Sequence, residues 1–150
     1  MTKEEYLELI QKLDLLILNE LEELEKLNTL ASKVTQANDG MPHAPGTSDK
    51  VGNGAIKIIE KQEEIDEIIS LSIDLRKEII GQIRKLHKDE YDVLYKYYVL
   101  EMSIFDIADI RKRSETWVKE MKRKGINNIE IQYTDTFFKI IKLVTKSDRK

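Results

Sequence analysis

Charged side chains suited to binding a polyanion are concentrated between Arg111 and Lys124, inside the stretch SIFDIADIRKRSETWVKEMKRKG from Ser103 to Gly125. Lys and Arg neutralise phosphates, whereas polar side chains at the beginning of a helix can reach base edges in a DNA groove. The pattern therefore predicts binding to double-stranded DNA. The residues assigned to this interface are Arg111, Lys112, Arg113, Glu115, Thr116, Lys119, Lys122, Arg123 and Lys124.

These residues divide into two groups by the part of the DNA that they would contact. Thr116, Lys119 and Arg123 are predicted to contact bases, and Glu115 suits the amino group of a cytosine. Phosphate contacts, which position a protein without specifying a sequence, are assigned to the remaining cations. Those cations are Arg111, Lys112, Arg113, Lys122 and Lys124.

Two short helices must position these side chains, and two serines indicate where they begin. Ser103 and Ser114 each suit an N-cap, because the side-chain oxygen accepts a backbone N–H of the first turn. Apolar residues recur at helical spacing after each serine, at Ile104, Ile107, Ala108, Ile110, Trp117, Val118 and Met121. We expect Val118, Met121 and part of Trp117 to face Ile107 and a third helix, predicted from His87 to Leu100.

The first part of the chain, residues 1–86, is predicted to be a long antiparallel helical hairpin with coiled-coil-like packing. Apolar periodicity predicts helices over 3–34 and 55–86, and a capping box at Thr2 and Glu5 begins the first of them. Between the helices, residues 35–54 contain both prolines and four of the six glycines, which predicts a loop. The broad apolar stripes also favour a homodimer in which two hairpins form a four-helix bundle.

The rest of the chain is divided at residue 125. Tyrosines spaced for one packed face predict a third helix from His87 to Leu100, so that residues 87–125 form a helix-turn-helix head. Residues 126–150 form a basic, apolar C-terminal tail. In it, alternating apolar residues suggest a short strand at Ile129, Ile131 and Tyr133, and a final helix is predicted over 134–144.

Composition indicates an all-α protein with charge divided between its two ends. The 150 residues carry a net charge of −3, but those from 111 onward hold twelve Lys and Arg against five Asp and Glu. The first 110 residues are correspondingly acidic and would repel a polyanion. Without cysteine, and without an apolar run of about 20 residues, the chain is expected to be cytoplasmic and not to bind a membrane.

No group of residues has the spacing of a catalytic or metal site. His43 and His87 are not placed to share a ligand, and His87 with Asp89, Glu90 and Asp92 is better explained by acids at a helix N-terminus. We therefore expect neither an enzyme nor a cofactor nor a bound metal.

The segment LHKDEYDVLYKYYVLEMSIFDIADIRKRSETWVKEM resembles region 4 of the sigma-70 class of transcription factors. The matching positions are Ser103, Ile107, Ala108, Ser114 and Val118. Over roughly residues 3–124, with GMP and SDKVGN between two long helices, the chain is similar to small sigma-like phage and prophage proteins. Those proteins are grouped with the ArpU and RinA regulators.

This resemblance implies a phage or prophage transcription regulator that activates late genes. The family usually has leucine and glycine in the turn, where Arg111 and Lys112 stand here. Replacing that glycine strains any turn residue that needs a positive φ. The alternative interpretation is a non-enzymatic interaction module that binds host RNA polymerase or a repressor through the hairpin, without any DNA contact.

Overall fold

The computed structural model describes residues 1–38 and 47–148, and its regular secondary structure there is helical, without a strand. The predicted all-α class is confirmed. No helix in the described ranges combines the length and apolarity needed to cross a membrane. The helices are α1 (Lys3–Asn38), α2 (Thr47–Ile83), α3 (Lys88–Leu94), α4 (Ile104–Arg111), α5 (Glu115–Asn127) and α6 (Asp135–Asp148), with a π-helical turn, Tyr95–Val99, directly after α3.

The predicted loop at 35–54 is wrong at both of its ends. Because α1 ends at Asn38 and α2 begins at Thr47, residues 35–38 and 47–54 are helical. Gly52 and Gly54 lie in this part of α2. Each glycine destabilises a helix by roughly 1 kcal/mol relative to alanine, which is too little to end a helix that continues into a packed segment. The middle of the predicted loop, residues 39–46, lies outside the described residues.

The chain forms two compact units whose limits differ from the predicted boundaries at 86 and 125. The first unit comprises Met1–Asp14 and Leu71–Lys150, and the second comprises Leu15–Ser70. The beginning of α1 and the end of α2 thus belong to the same unit as the head and tail. The first unit is a helical assembly that includes all of α3 to α6.

Within the second unit, stretches of α1 and α2 lie side by side. Ile65 and Ile68 are its buried hydrophobic residues. Lys61 of α2 forms ion pairs with Glu20 and, at 3.4 Å, with Glu23 of α1. This combination of a narrow apolar seam and flanking charges is typical of paired helices.

In the first unit, α1 begins with the predicted capping box. The Glu5 amide donates to Thr2 Oγ1 at 3.1 Å, and the Thr2 amide donates to Glu5 Oε2 at 3.3 Å. Arg76 of α2 donates to both carboxylate oxygens of Asp14, at 2.8 and 2.6 Å. The beginning of α1 therefore meets the end of α2, as in an antiparallel pair, around the buried residues Tyr6, Leu9, Ile10, Leu13, Leu75, Ile79 and Ile83.

The C-terminal tail completes the core of the first unit. The predicted final helix is confirmed as α6, whose buried face carries Phe137, Ile140 and Val144. The predicted strand at 129–133 is wrong, because a strand needs a partner for its backbone groups and the described chain offers none there. Instead, Thr134 Oγ1 donates to Glu78 at 3.1 Å.

Candidate nucleic-acid interface

Helices α4 and α5 are joined by a turn of three residues, and both begin at the predicted serines. Ser103 Oγ accepts from the amide of Asp106, and Ser114 Oγ accepts from the amide of Trp117, each at 3.1 Å. Both serines have extended backbone angles, as an N-cap requires. The two predicted caps are confirmed, and they fix where α5 presents its first turn.

Lys112 closes α4 in the left-handed region, with φ 53° and ψ 46°. Its amide donates to Asp109 at 3.2 Å, and the amide of Arg113 donates to Ala108 at 3.0 Å. These two bonds form a Schellman motif, which usually has glycine where Lys112 stands. An L side chain in this conformation costs roughly 1–2 kcal/mol, which is the strain expected where glycine is replaced.

A small apolar core holds α5 against α4 and α3. Val93, Ile107, Ala108 and Val118 are buried, and Trp117 and Met121 pack against them, as predicted. Ile110 was expected on the same stripe, but it is exposed because Arg111 occupies the side of α4 nearest α3. One face of α5 is thus committed to packing, and the opposite face is left to solvent.

Gly125 is a packing residue within α5 rather than the end of the head, since the helix continues to Asn127. A Cβ added to Gly125 would lie 2.8 Å from Leu94 Cδ1 and 3.1 Å from Leu94 Cγ. Leu94 is itself buried, so it has little room to move. Glycine therefore allows α5 to approach α3 closely.

Substituting the two glycines should have opposite effects on stability. We expect Gly125→Ala to lower the free energy of unfolding by about 1–3 kcal/mol through overpacking. Gly81→Ala, in the last turns of α2 with nothing within 4 Å of the added Cβ, should raise it by about 0.5 kcal/mol. Urea denaturation of both variants checks this. Equal effects of the two substitutions would contradict the close approach at Gly125.

Arg111, which the sequence assigned to a phosphate, is half-buried and paired with two acids of the protein. Its guanidinium donates to Asp89 and to Asp92, each at 2.6 Å, and lies 5.2 Å from the ring centroid of Trp117. Lys96 also pairs with Asp92. We call Arg111 with Asp89 and Asp92 the arginine clamp. It joins the end of α4 to α3 and covers the first turn of α5.

The arginine clamp was not predicted from the sequence, although the spacing of its two acids indicated that they share one side of a helix. Asp89 and Asp92 are three residues apart and so share one face of α3. The hydrogen bond from Arg111 lowers the pKa of Asp89. For Asp92, burial acts in the opposite direction, but the hydrogen bonds from Lys96 and Arg111 outweigh it and the pKa is lowered.

The lowered pKa values predict a pH-dependent contribution from the clamp. A carboxylate whose pKa is lower in the folded than in the unfolded protein stabilises the fold when the pH is above its unfolded pKa, about 3.9. This stabilisation is lost as the pH falls through the folded pKa. The stability difference between wild type and Arg111→Gln should be largest above about pH 5 and shrink below about pH 4. Thermal unfolding across this range measures it, with exposed Lys142→Gln as control. A difference independent of pH would contradict the clamp.

Lys122 is also turned toward the protein rather than toward solvent. Its Nζ lies 4.1 Å from the ring centroid of Tyr97 and 5.6 Å from that of Tyr98, in the geometry of a cation–π contact. The sequence assigned Lys122 to a phosphate, whereas in the structure its ammonium group lies over these two rings. The position of Lys122, between the packed and exposed faces of α5, explains why periodicity alone placed it outside.

The remaining assigned residues lie on the exposed side of the turn and of α5. Thr116, Lys119 and Arg123 follow one another along a single exposed face, and none has a hydrogen bond or ion pair within the described residues. Lys112 and Glu115 are similarly exposed. Arg113 stacks 5.1 Å from the Trp117 centroid, and Lys124 makes a weak exposed pair with Glu120 at 3.5 Å.

This exposed side defines the α5 face, a surface of Lys112, Arg113, Glu115, Thr116, Lys119, Arg123 and Lys124. It carries five cations and one acid, and a second exposed acid, Glu120, lies beside Lys124 at 3.5 Å. Across the described ranges, no three His, Asp or Glu side chains are grouped as a metal site would require. The α5 face is therefore a candidate for binding an anion by charge and shape.

Comparisons of the chain with protein-family models, with curated proteins and with solved structures gave no match.

Proposed function

We propose that this chain is a DNA-binding transcription regulator in which α4 and α5 act as a helix-turn-helix. The observation that supports this most strongly is the α5 face, where Thr116, Lys119 and Arg123 are exposed, unpaired and aligned. A recognition helix lies in the major groove with the side chains near its N-terminus against base edges. The capped start and three-residue turn before α5 suit this placement.

The residues of the α5 face have separate roles in this proposal. Lys119 and Arg123 donate to base edges, and Thr116 contacts a base through its methyl or hydroxyl group. Lys112, Arg113 and Lys124 neutralise phosphates beside the groove. Arg111 acts indirectly, since the arginine clamp holds the turn and Trp117 in place without touching DNA.

The resemblance to region 4 of sigma-70-class factors supports a narrower proposal. The chain is then a cytoplasmic phage or prophage regulator that activates late genes and contacts RNA polymerase. The positive φ at Lys112, where the family has glycine, is consistent with that kinship. The direction of regulation depends on the resemblance alone.

A homodimer is part of the same proposal. Large apolar side chains of the second unit remain exposed at Leu18, Leu21, Leu30, Ile56 and Ile59. Exposed apolar surface of this extent favours a partner helix pair. The same observation favours the second candidate function, an interaction module that binds a different protein through the hairpin. Light scattering on the purified chain tests the homodimer, and a monomeric mass would exclude it.

The proposed function is tested by sequencing the DNA fragments that co-purify with the full chain at low salt. Enrichment of a defined sequence, with affinity falling steeply as salt rises, is the expected result. Each phosphate contact contributes about 0.9 to the slope of log K against log salt, so three cations predict a slope of about −3. Failure to retain any DNA at low salt would contradict the proposal and favour the interaction module.

A further inference from the structure

We propose that the outward side of α4 is a docking surface for a basic protein segment that carries apolar side chains. This surface, the α4 face, consists of Phe105, Asp106, Asp109 and Ile110. It is opposite in charge to the α5 face and adjoins it, because Phe105 and Asp109 line one concavity with Lys112, Arg113 and Glu115. The inference does not depend on DNA binding by α5.

The apolar part of the α4 face is large for so short a helix. Phe105 is 68% exposed and Ile110 is 57% exposed, although α4 has only eight residues. Leu100, just before α4, is also exposed. Apolar side chains grouped in this way on a surface, and rimmed by polar residues, mark protein interaction sites.

The acidic part of the α4 face has little structural purpose within the chain. Asp106 and Asp109 are exposed, and neither carboxylate forms a hydrogen bond or ion pair in the described residues. Asp106 suits the first turn of α4, where the helix dipole favours an acid. Asp109 stands in the last turn, where the same dipole disfavours it. Lys112 and Arg113 line the same concavity as Asp109 but form no ion pair with it in the described residues, which leaves its carboxylate open to a cation of a partner.

The spacing of the four residues defines the occupant. Phe105 and Asp109, and likewise Asp106 and Ile110, are separated by one helical turn, so each acid lies beside an apolar side chain. A partner that matches this pattern carries Lys or Arg between apolar residues on one side of a helix. DNA and other polyanions are repelled by the same carboxylates.

The test uses two synthetic helical peptides in which leucine and a charged residue alternate along one side, and which differ only in whether that charged residue is Lys or Glu. Binding to the full chain is measured by fluorescence anisotropy at physiological salt. The Lys peptide should bind at least tenfold more tightly than the Glu peptide. Phe105→Ala combined with Asp109→Asn should weaken binding of the Lys peptide about tenfold, which corresponds to 1.4 kcal/mol.

A matched double variant separates this site from general attraction to an acidic protein. Phe138→Ala with Asp74→Asn removes an exposed Phe and an exposed acid from α6 and α2, and it should leave binding of the Lys peptide unchanged. Equal binding of the two peptides, or equal effects of the two double variants, would overturn the proposal. Sedimentation of the Phe105→Ala and Asp109→Asn double variant gives a further check. If this variant no longer self-associates, the α4 face binds a second copy of the chain, and the proposal is overturned.

DNA affinity supplies an independent readout. The Phe105 and Asp109 double variant should bind DNA as tightly as the wild type or slightly more tightly, because one acid has been removed. A tenfold loss of DNA affinity in this variant would show that the α4 and α5 faces are one surface, and the proposal would fail. If the wild type did not bind DNA at all, that result would contradict the proposed function and not the docking surface on α4.

Discussion

Replacing Phe137 by alanine should lower the free energy of unfolding by about 3–5 kcal/mol, the range measured for large aromatic side chains lost from a core. Phe137 is only 5% exposed and its ring lies 6.1 Å from that of Tyr6, at the beginning of α1. The substitution would leave a cavity between the two ends of the chain. Urea denaturation followed by circular dichroism measures the change.

The neighbouring residue provides the control for this prediction. Phe138 is 52% exposed on α6, so Phe138→Ala removes the same atoms with far less loss of packing. We expect it to cost about 1 kcal/mol or less. If both substitutions had the same small effect, α6 would not be part of the core, and residues 126–150 would be a dispensable tail.

Replacing Lys119 and Arg123 together by alanine should weaken DNA binding by about 2–6 kcal/mol, since a good base contact contributes about 1–3 kcal/mol. Both side chains are exposed and have no partner among the residues that the structure describes, so their removal should leave the fold intact. Fluorescence anisotropy with the enriched DNA fragment measures the loss. Repeating the titration on nonspecific DNA separates base contacts from phosphate contacts.

A double variant on α6 removes the same charge elsewhere. Lys139 and Lys142 are exposed on α6, which packs against α1, and Thr134 just before α6 donates to Glu78 of α2. Lys139→Ala with Lys142→Ala should change DNA affinity by less than tenfold. Equal losses in the two double variants would mean that net charge, rather than the α5 face, determines binding.

Local sequence signals predicted the elements that carry the site. The serines at 103 and 114 and the Thr2–Glu5 box are short-range patterns, and all three form the predicted hydrogen bonds. Apolar spacing likewise placed Val118 and Met121 toward the core. Such features are predictable because they depend on residues within one or two helical turns.

The same patterns could not predict contacts between residues that are far apart in the sequence. Arg111 and Lys122 have long side chains that reach either solvent or an internal partner, and only the position of α3 decides between them. The role of Gly125 depends on how close Leu94 lies. The docking of residues 126–148 likewise depends on a core shared with the beginning of α1, far away in the sequence.

The most direct test of the central claim places a DNA-cleaving reagent on the α5 face. The chain contains no cysteine, so Thr116→Cys can be labelled uniquely with an iron chelate that cleaves nearby DNA. A matched label at Lys139→Cys on α6 is the control. DNA bound to the Thr116→Cys protein should be cut at a few adjacent nucleotides within the enriched sequence, and DNA bound to the Lys139→Cys protein should remain uncut. Cleavage from position 139 without cleavage from position 116 would contradict DNA binding by α5.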